Sequence, residues 1–165
     1  MTILTLVTED VRWLDSDQQR SWRAFVMGTT LLNDQLDADL RREFDVSLAE
    51  YEILVRLSEH DGAMRMAQLA DSMAHSRSRV THTIKRMEHA GLVERREAAD
   101  DGRGVVAALT ETGMELLVRS APTHVAGVRE YLVDVCSAED YEALGRVMNA
   151  VADQLIGDRP ALEMR

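Results

Sequence analysis

A short stretch near the middle of the chain combines hydroxyl and cationic side chains, the residue types best suited to binding phosphate. These side chains are Ser76, Arg77, Ser78, Arg79, Thr81, His82, Lys85 and Arg86. Short hydroxyls near a helix N-terminus lie beside backbone N–H groups that favour phosphate. Arginines reach phosphate oxygens or the O6 and N7 atoms of guanine. The stretch predicts a surface that contacts double-stranded DNA; the alternative is a solvated, arginine-rich helix.

The distribution of charge agrees with a local binding surface. The 165 residues carry a net charge of −10, which taken alone argues against a nucleic-acid ligand. Residues 75–96, however, hold six Arg or Lys side chains against two glutamates, so this segment is +4 and the rest is −14. Binding depends on local charge rather than on the mean. We therefore expect one basic face on an acidic body.

Other chemistry finds little support in the sequence. There is no nucleophile-elbow motif, no glycine-rich phosphate loop and no H-E-x-x-H. Asp100 and Asp101 form a carboxylate pair on an expected exposed turn, which lacks the burial that tunes a catalytic pKa. His75, His82 and His89 recur two helical turns apart, whereas a helical metal pair needs one turn. We predict no enzyme activity, no cofactor and no metal site.

The composition is that of a globular domain of ordinary size. Apolar residues make up 45% and charged residues 29%. Cys136 is the single cysteine, which excludes an intramolecular disulfide and fits a reducing compartment. No run of 18 apolar residues exists, and residues 3–7 are too short for a signal sequence. We expect a cytoplasmic protein that does not enter a membrane.

Apolar spacing and capping residues place the first two helices. Apolar side chains recur at intervals of three and four from Ser16 to Phe44, with a capping-box pattern at Ser16 and Gln19. A helix this long exceeds the usual globular range, and its apolar stripe calls for a partner such as a second subunit. Ser47 and Glu50 form the capping box of the second helix, which we expect to end near residue 60.

The phosphate-binding stretch falls on the fourth helix. A short third helix is expected at 67–74, and Ser76 is a good N-cap for a fourth helix that ends at Gly91. At about 100° per residue, one side of this helix is an apolar stripe and the opposite side is polar and positive. The stripe consists of Val80, Ile84 and Met87.

The period changes to that of a strand after the fourth helix. Strands are expected at 92–96 and 105–109, joined by a turn at Asp101-Gly102. A fifth helix follows from Thr110, which Pro122 should kink or split, and Ser137 caps a sixth. The predicted fold class is mainly α with a small β-hairpin wing: a winged helix-turn-helix with six helices.

The order and spacing of these motifs resemble the MarR family of bacterial transcriptional regulators. The resemblance spans about residues 15–155. It rests on Gln19-Arg20-Ser21-Trp22-Arg23-Ala24-Phe25, on Ser47-Leu48-Ala49-Glu50-Tyr51-Glu52-Ile53-Leu54, and on a third, longer stretch. That stretch runs through Gln68-Leu69-Ala70, Ser76-Arg77-Ser78-Arg79-Val80-Thr81, Arg86-Met87-Glu88-His89-Ala90-Gly91-Leu92-Val93-Glu94-Arg95, Asp101-Gly102-Arg103 and Leu109-Thr110-Glu111-Thr112-Gly113.

The resemblance implies an intertwined homodimer. Residues 16–44 and 110–156 would be dimerisation helices, and 47–109 would be the DNA-binding lobe of a single chain covering 1–165. The fourth helix of each subunit would enter a major groove, and Arg103 at the wing tip would reach the adjacent minor groove, with Asp101 completing an Asp-x-Arg pattern. Arg95 and Arg96 would contact the DNA backbone or pair with Glu94 and Glu97.

A small-molecule effector is also implied, bound between the dimer core and the DNA-binding lobe. Trp22, Arg65, His124 and Arg129 are the candidate pocket residues; for Trp22 the alternative is packing in the core or interface. Cys136 is expected to be an inert thiol, because peroxide-sensing members carry their cysteine near the start of the first helix.

The leading hypothesis is a sequence-specific DNA-binding transcription factor. It would be a ligand-responsive repressor that binds a pseudo-palindromic operator as a homodimer. The alternative is a winged-helix protein-interaction module that has lost DNA binding, which the net charge favours. The polar face from Ser76 to Arg86 and Arg103 count against that alternative.

Overall fold

The computed structural model describes residues 11–98 and 104–156. Within these residues the chain forms six α-helices and a three-stranded sheet. The helices are α1 Ser16–Phe44, α2 Leu48–Ser58, α3 Met66–Ser72, α4 Arg77–His89, α5 Glu111–Tyr131 and α6 Ala138–Ile156. The strands are β1 Ala63–Arg65, β2 Val93–Glu97 and β3 Val105–Leu109, and a 3-10 turn lies at Val133–Val135. The predicted class, mainly α with a winged helix-turn-helix, is confirmed.

The capping residues define the helix starts, with one correction. The bounds of α1 are those predicted, but its N-cap is Asp15 rather than Ser16. The Asp15 carboxylate accepts from the backbone N–H of Asp17 (2.9 Å) and Gln18 (2.8 Å), and the Gln18 side chain accepts from the Asp15 N–H. A carboxylate is favoured here because a helix N-terminus is partly positive. The capping box of Ser47 and Glu50 at the start of α2 is confirmed.

The wing is part of a larger sheet than the hairpin predicted from sequence. The strand order is β1-β3-β2, and β3 pairs antiparallel with both neighbours. Ala107 in the middle of β3 faces Met64 on one side and Arg95 on the other. Sequence periodicity missed β1 because three residues are too few to show alternation.

The core lies where α2, α3 and α4 pack against the sheet. Leu54, Leu57, Leu69, Ile84 and Met87 have no exposed surface, and Val80 and Val93 are almost as deeply buried. The apolar stripe predicted for the fourth helix is therefore its packed side. Burial of these side chains fixes which side of α4 remains outside.

Long-range contacts hold α5 against α1. Tyr131 on α5 donates a hydrogen bond to the buried Asp39 carboxylate on α1 (3.0 Å), and Thr123 donates to Glu43 (2.9 Å). Pro122 lies inside a continuous α5, so of the two predicted alternatives the split is excluded and the kink stays a prediction. Proline removes the bond to the carbonyl four residues earlier, on Val118, which is exposed and accessible to solvent.

Several apolar side chains of α1, α5 and α6 remain outside the core. They are Trp22, Phe25, Val26, Met27 and Leu31 on α1, Met114, Val118 and Val125 on α5, and Tyr141, Val147, Met148, Val151 and Leu155 on α6. Helix α6 contains no buried residue. Across the described ranges, none of the helices is long and apolar enough to cross a membrane.

Candidate nucleic-acid interface

Helix α4 presents the polar side chains that the sequence predicted. Ser76 caps the helix by accepting from the backbone N–H of Arg79 (3.3 Å), and its hydroxyl lies 3.2 Å from that of Ser78. Thr81 donates its hydroxyl to the carbonyl of Arg77 (2.8 Å), which leaves its oxygen only as an acceptor. All eight predicted residues of this stretch are exposed: Ser76, Arg77, Ser78, Arg79, Thr81, His82, Lys85 and Arg86. The helix thus brings them to one surface.

Three cations on this surface have no carboxylate partner. Among residues 11–98 and 104–156, no Asp or Glu comes within ion-pair distance of Arg77, Arg79 or Lys85. Burial and the charge of Arg79 lower the pKa of His75, which directly precedes the N-cap Ser76. Arg77 and Arg79 at the N-terminal end of α4, and Lys85 further along the helix, are therefore not ion-paired within the described residues.

Arg86 differs from these three because it is bound to α2. Its Nε donates to Glu50 at 2.7 Å, while Glu50 also accepts from the Ser47 backbone N–H at 2.8 Å. Burial raises the pKa of Glu50, but the bonds from Arg86 and Ser47 outweigh it and lower the pKa overall. The pair fixes the C-terminal half of α4 to α2, while half of the Arg86 side chain remains exposed.

The contact between α2 and α4 continues to α1. Asp37 on α1 accepts from the backbone N–H of Leu48, the first residue of α2, at 2.8 Å, and pairs with Arg41 at 2.6 Å. Burial opposes ionisation of Asp37, yet these bonds hold its pKa below its ordinary value. The sequence predicted the Ser47 capping box but not the contact of Asp37 with Leu48 or that of Glu50 with Arg86. These pairs are 11 and 36 positions apart, and such separations leave no local signal in the sequence.

A second group of basic residues on the wing is internally paired. Arg95 forms two bonds to the Glu88 carboxylate, at 2.7 and 2.9 Å, and Arg96 pairs with Glu94. Of the two alternatives raised for these arginines, the described residues show pairing, although Arg95 uses Glu88 of α4 instead of Glu94 or Glu97. Arg103, Asp101 and Asp100 lie outside the described residues.

A cleft of about 260 Å³ lies where the sheet meets α4. Arg65 at the end of β1 lines it, together with Arg77 and Thr81 of α4, Val105 at the start of β3, and Gly104 just before it. Arg65 was expected in an effector pocket between the dimer core and the lobe. The structure places it here, beside the candidate DNA-binding surface.

The other expected effector-pocket residues have separate surroundings. Trp22 is exposed and stacks on Phe25, with ring centroids 5.9 Å apart. His124 packs on Tyr51 of α2 with centroids at 4.5 Å, while Arg129 pairs with Asp134 at 2.6 Å. Burial lowers the pKa of His124, and its Nδ1 lacks a hydrogen-bond partner among the described residues. One subunit does not bring these side chains into a single pocket.

A different cleft, of about 290 Å³, lies where α1 meets α2 and the N-terminal end of α4. Its lining includes three carboxylates and two basic groups rather than the expected Trp22 or Arg129. The lining residues are Asn33, Asp34, Asp37, Leu48, Ala49, Glu52, His75 and Arg79. Arg79 lines this cleft and also lies on the exposed face of α4, so the cleft adjoins the candidate DNA-binding surface.

Comparisons with known proteins agree on one family. A family model described as the MarR family matches residues 44–104. The crystal structure of AbsC, a MarR family transcriptional regulator from Streptomyces coelicolor, is 42% identical, with a TM-score of 0.84; 90% of this chain and 100% of that chain are covered. Sco3205, a MarR family transcriptional regulator from the same organism solved in complex with DNA, is 37% identical, with a TM-score of 0.87 and coverage of 92% and 95%. The HTH-type transcriptional regulator PecS from Dickeya dadantii is 27% identical, covering 90% of this chain and 99% of its own length.

Proposed function

The chain belongs to the MarR family of transcriptional regulators, and we propose that it is a sequence-specific DNA-binding regulator acting as a ligand-responsive repressor. The observation that carries the proposal is the exposed face of α4, where Arg77, Arg79 and Lys85 have no carboxylate partner within the described ranges. These cations occur in a chain of net charge −10. A chain that leaves them unpaired despite its excess of carboxylates has a surface suited to a polyanion.

The active form is a homodimer built by the helices outside the lobe. The exposed apolar side chains of α1 and α6 support this, because α6 buries none of its residues within the described chain. Exposed apolar side chains that recur along two helices indicate an interaction site. We assign 16–44 and 110–156 to dimerisation and 47–109 to DNA binding.

Each subunit inserts α4 into a major groove. Two-fold symmetry then predicts a pseudo-palindromic operator with half-sites about one turn, roughly 10 bp, apart. The wing directs Arg103 toward the neighbouring minor groove, where an arginine responds to groove width rather than to base identity. Arg77 and Arg79, near the helix start, reach phosphates or guanine edges.

The effector binds between α1 and the lobe. The cleft lined by Asp37, Glu52, His75 and Arg79 lies at this junction and shares Arg79 with the DNA-binding face. A ligand that binds one arrangement of α1 and the DNA-binding lobe more tightly than another increases the population of that arrangement. Isothermal titration of candidate effectors, followed by their release of bound DNA, tests this assignment.

The DNA-binding proposal is tested by fluorescence anisotropy on a labelled duplex from upstream of the gene. A scrambled duplex and three salt concentrations are measured in parallel. We expect selective binding that weakens steeply with salt, since a protein with 6–10 phosphate contacts loses roughly 10³–10⁵ in affinity between 50 and 200 mM salt. The double variant Arg77→Ala, Arg79→Ala should lose at least about 100-fold while remaining a folded dimer.

A control for the loss of an arginine elsewhere in the lobe is Arg56→Ala, on α2. Arg56 pairs with Glu59 at 3.4 Å and is not on α4, so its replacement should change DNA affinity little. If wild-type protein binds neither duplex at low salt, the protein-interaction module is the better assignment. If the double variant still binds tightly, α4 is not the recognition helix.

A further inference from the structure

The carboxylate of Glu50 divides its two oxygens between two helices. Oε2 accepts from the backbone N–H and from the hydroxyl of Ser47, at 2.8 and 2.6 Å, in the cap of α2. Oε1 accepts from Nε of Arg86 on α4 at 2.7 Å. The Glu50 side chain is only 9% exposed. Because α2 holds the carboxylate in place through one oxygen, the other oxygen restricts the position of the arginine that binds to it.

Arg86 is bound in a way that leaves the outer end of its guanidinium open. Only Nε contacts Glu50, and within residues 11–98 and 104–156 neither Nη1 nor Nη2 has a hydrogen-bond acceptor. These two nitrogens form a fork that fits the oxygens of a phosphate. Arg95 is different, because it uses Nε and Nη2 together on Glu88. Glu50 therefore orients the Arg86 side chain without occupying the fork.

The position of Arg86 on α4 indicates what this fork binds. Arg86 lies seven positions after Arg79 and is exposed on nearly the same side of the helix, about two turns or roughly 10 Å further along. In a helix-turn-helix, the N-terminal residues of the recognition helix contact base edges. An arginine in the second half of α4 then lies nearer to the DNA backbone that borders the groove. A backbone phosphate is the anion at that border that suits its fork.

We propose that Glu50 is a positioning residue for DNA binding, which holds Arg86 so that Nη1 and Nη2 bind one backbone phosphate. The inference rests on the proposed DNA-binding function. A free arginine side chain loses rotamer freedom when it binds a phosphate, and an arginine that Glu50 already holds loses less. This gain opposes the repulsion between the Glu50 carboxylate and the phosphate, which by itself would weaken DNA binding.

The sign of the Glu50→Gln effect on DNA affinity separates these two contributions. Loss of a negative charge near DNA should strengthen binding if the repulsion prevails, whereas loss of the bond that orients Arg86 should weaken it. We expect Glu50→Gln to weaken binding to the operator and to the scrambled duplex by a similar factor, about fivefold, the scale of one weakened charge-assisted hydrogen bond. The charge-matched control is Glu59→Gln, which removes the partner of Arg56 and should not weaken binding. Fluorescence anisotropy over a range of salt measures both variants.

Substitutions of Arg86 test whether Glu50 acts through this side chain. Arg86→Gln alone should weaken binding to both duplexes by about tenfold and reduce the salt slope by about 1, the value expected for one phosphate. In that background, Glu50→Gln should change the affinity by no more than about twofold. In the Arg86→Lys background the sign should reverse, because the single ammonium of lysine pairs with Glu50 instead of phosphate and is released when the carboxylate is removed. A purely structural contribution of Glu50 produces no such reversal.

Duplexes that carry one neutral methylphosphonate locate the contact on the DNA. At one phosphate of each half-site, the methylphosphonate should weaken wild-type binding several-fold and have little effect on Arg86→Gln or Glu50→Gln. At the other phosphates the three proteins should respond alike, whereas a general displacement of α4 would change the response at many phosphates. Circular dichroism and gel filtration establish that each variant is a folded dimer. If Glu50→Gln is not, Glu50→Asp replaces it, since the shorter side chain withdraws the carboxylate from Nε; its loss of affinity should likewise require Arg86.

Four results would overturn the inference. They are unchanged or tighter binding by Glu50→Gln, an equal loss in the Arg86→Gln background, the same sign of effect in the Arg86→Lys background, and a loss spread over many phosphates. If the wild-type protein binds no DNA, the proposed function itself fails and this inference fails with it. If wild-type binding depends steeply on salt and Glu50→Gln behaves like Glu59→Gln, only the positioning function of Glu50 is refuted.

Discussion

Replacing Gly113 with alanine tests how closely the first turn of α5 packs against the root of the wing. Gly113 is buried, and a Cβ at this position would lie 2.1 Å from the carbonyl oxygen of Leu92 and 2.8 Å from Cδ1 of Leu109. An ordinary contact between carbon and oxygen is about 3.3 Å. The two backbone segments must therefore separate by about 1.2 Å to admit the methyl group.

Two effects of this substitution oppose each other. Alanine is favoured over glycine inside a helix by about 1 kcal/mol. Overpacking costs about 1–3 kcal/mol or more, and the clash is with backbone that cannot rotate away. The Leu92 carbonyl also accepts from the N–H of Thr110 at 3.2 Å, and the Thr110 hydroxyl donates to Gly91 at 2.7 Å, so separation strains these bonds too. The clash prevails, and we expect a net loss of about 2 kcal/mol.

Urea unfolding followed by far-UV circular dichroism measures this loss. With a slope of about 2 kcal/mol per molar urea, the midpoint should fall by about 1 M. Protein concentration is held fixed, because a dimer's apparent stability depends on it. Thr112→Ala, exposed on the same helical turn, is the control and should change stability by less than about 0.5 kcal/mol. If Gly113→Ala unfolds at the same urea concentration as wild type or higher, α5 does not approach Leu92 as described.

Two further substitutions have signs that follow from the structure. Ala74, in the turn between α3 and α4, has a φ of 50°, a left-handed conformation that strains an alanine. Ala74→Gly should relieve this strain. The net gain in stability should be about 0.5–1 kcal/mol, because glycine also has more conformational entropy to lose from the unfolded chain. Ala67→Gly, within α3, should instead destabilise it by about 1 kcal/mol, and thermal melts distinguish the two; equal effects would contradict the left-handed turn. Glu50→Gln should cost about 1.5 kcal/mol at pH 7 by weakening the Arg86 bond. Because the folded pKa of Glu50 lies below its ordinary value, this stability is present above about pH 4.5 and is lost as pH falls through the folded pKa. The two proteins should therefore converge in urea midpoint below that range, and a constant difference down to about pH 2 would refute the assignment.

Local signals in the sequence account for most of the elements. The capping box of Ser47 and Glu50, the N-cap Ser76 and the left-handed Gly91 each act within four residues, and each is where it was predicted. The apolar stripe of α4 follows from helical period alone. These features need no knowledge of distant contacts, so a single sequence is enough to find them.

Features that depend on distant residues were the ones missed. Strand β1 is three residues long and exists because β3 offers it an edge more than 40 positions away. Glu50 looked like a capping residue only, yet it also pairs with Arg86 across 36 positions. Arg65 has no distinctive neighbours in sequence, and its position beside Arg77 arises from the pairing of β1 with β3. Spacing along the chain carries no information about such contacts.

The acidic net charge and the proposed DNA-binding surface are compatible once the pairing of each charge is considered. Carboxylates at Asp37, Asp39, Glu50 and Glu88 are each bound to an arginine, at 2.6–2.9 Å. Those arginines are Arg41, Arg42, Arg86 and Arg95, so most of the basic residues in the central part of the chain are paired with carboxylates. Arg77, Arg79 and Lys85 of α4 are different, because no carboxylate of the described chain lies within ion-pair distance of them. We expect a polyanion to be attracted to α4 more than to the acidic parts of the surface, which favours docking orientations that present this helix to the DNA. Non-specific DNA binding depends on phosphate contacts that do not select a sequence. The acidic residues outside α4 do not provide such contacts, so they lower non-specific binding relative to specific binding.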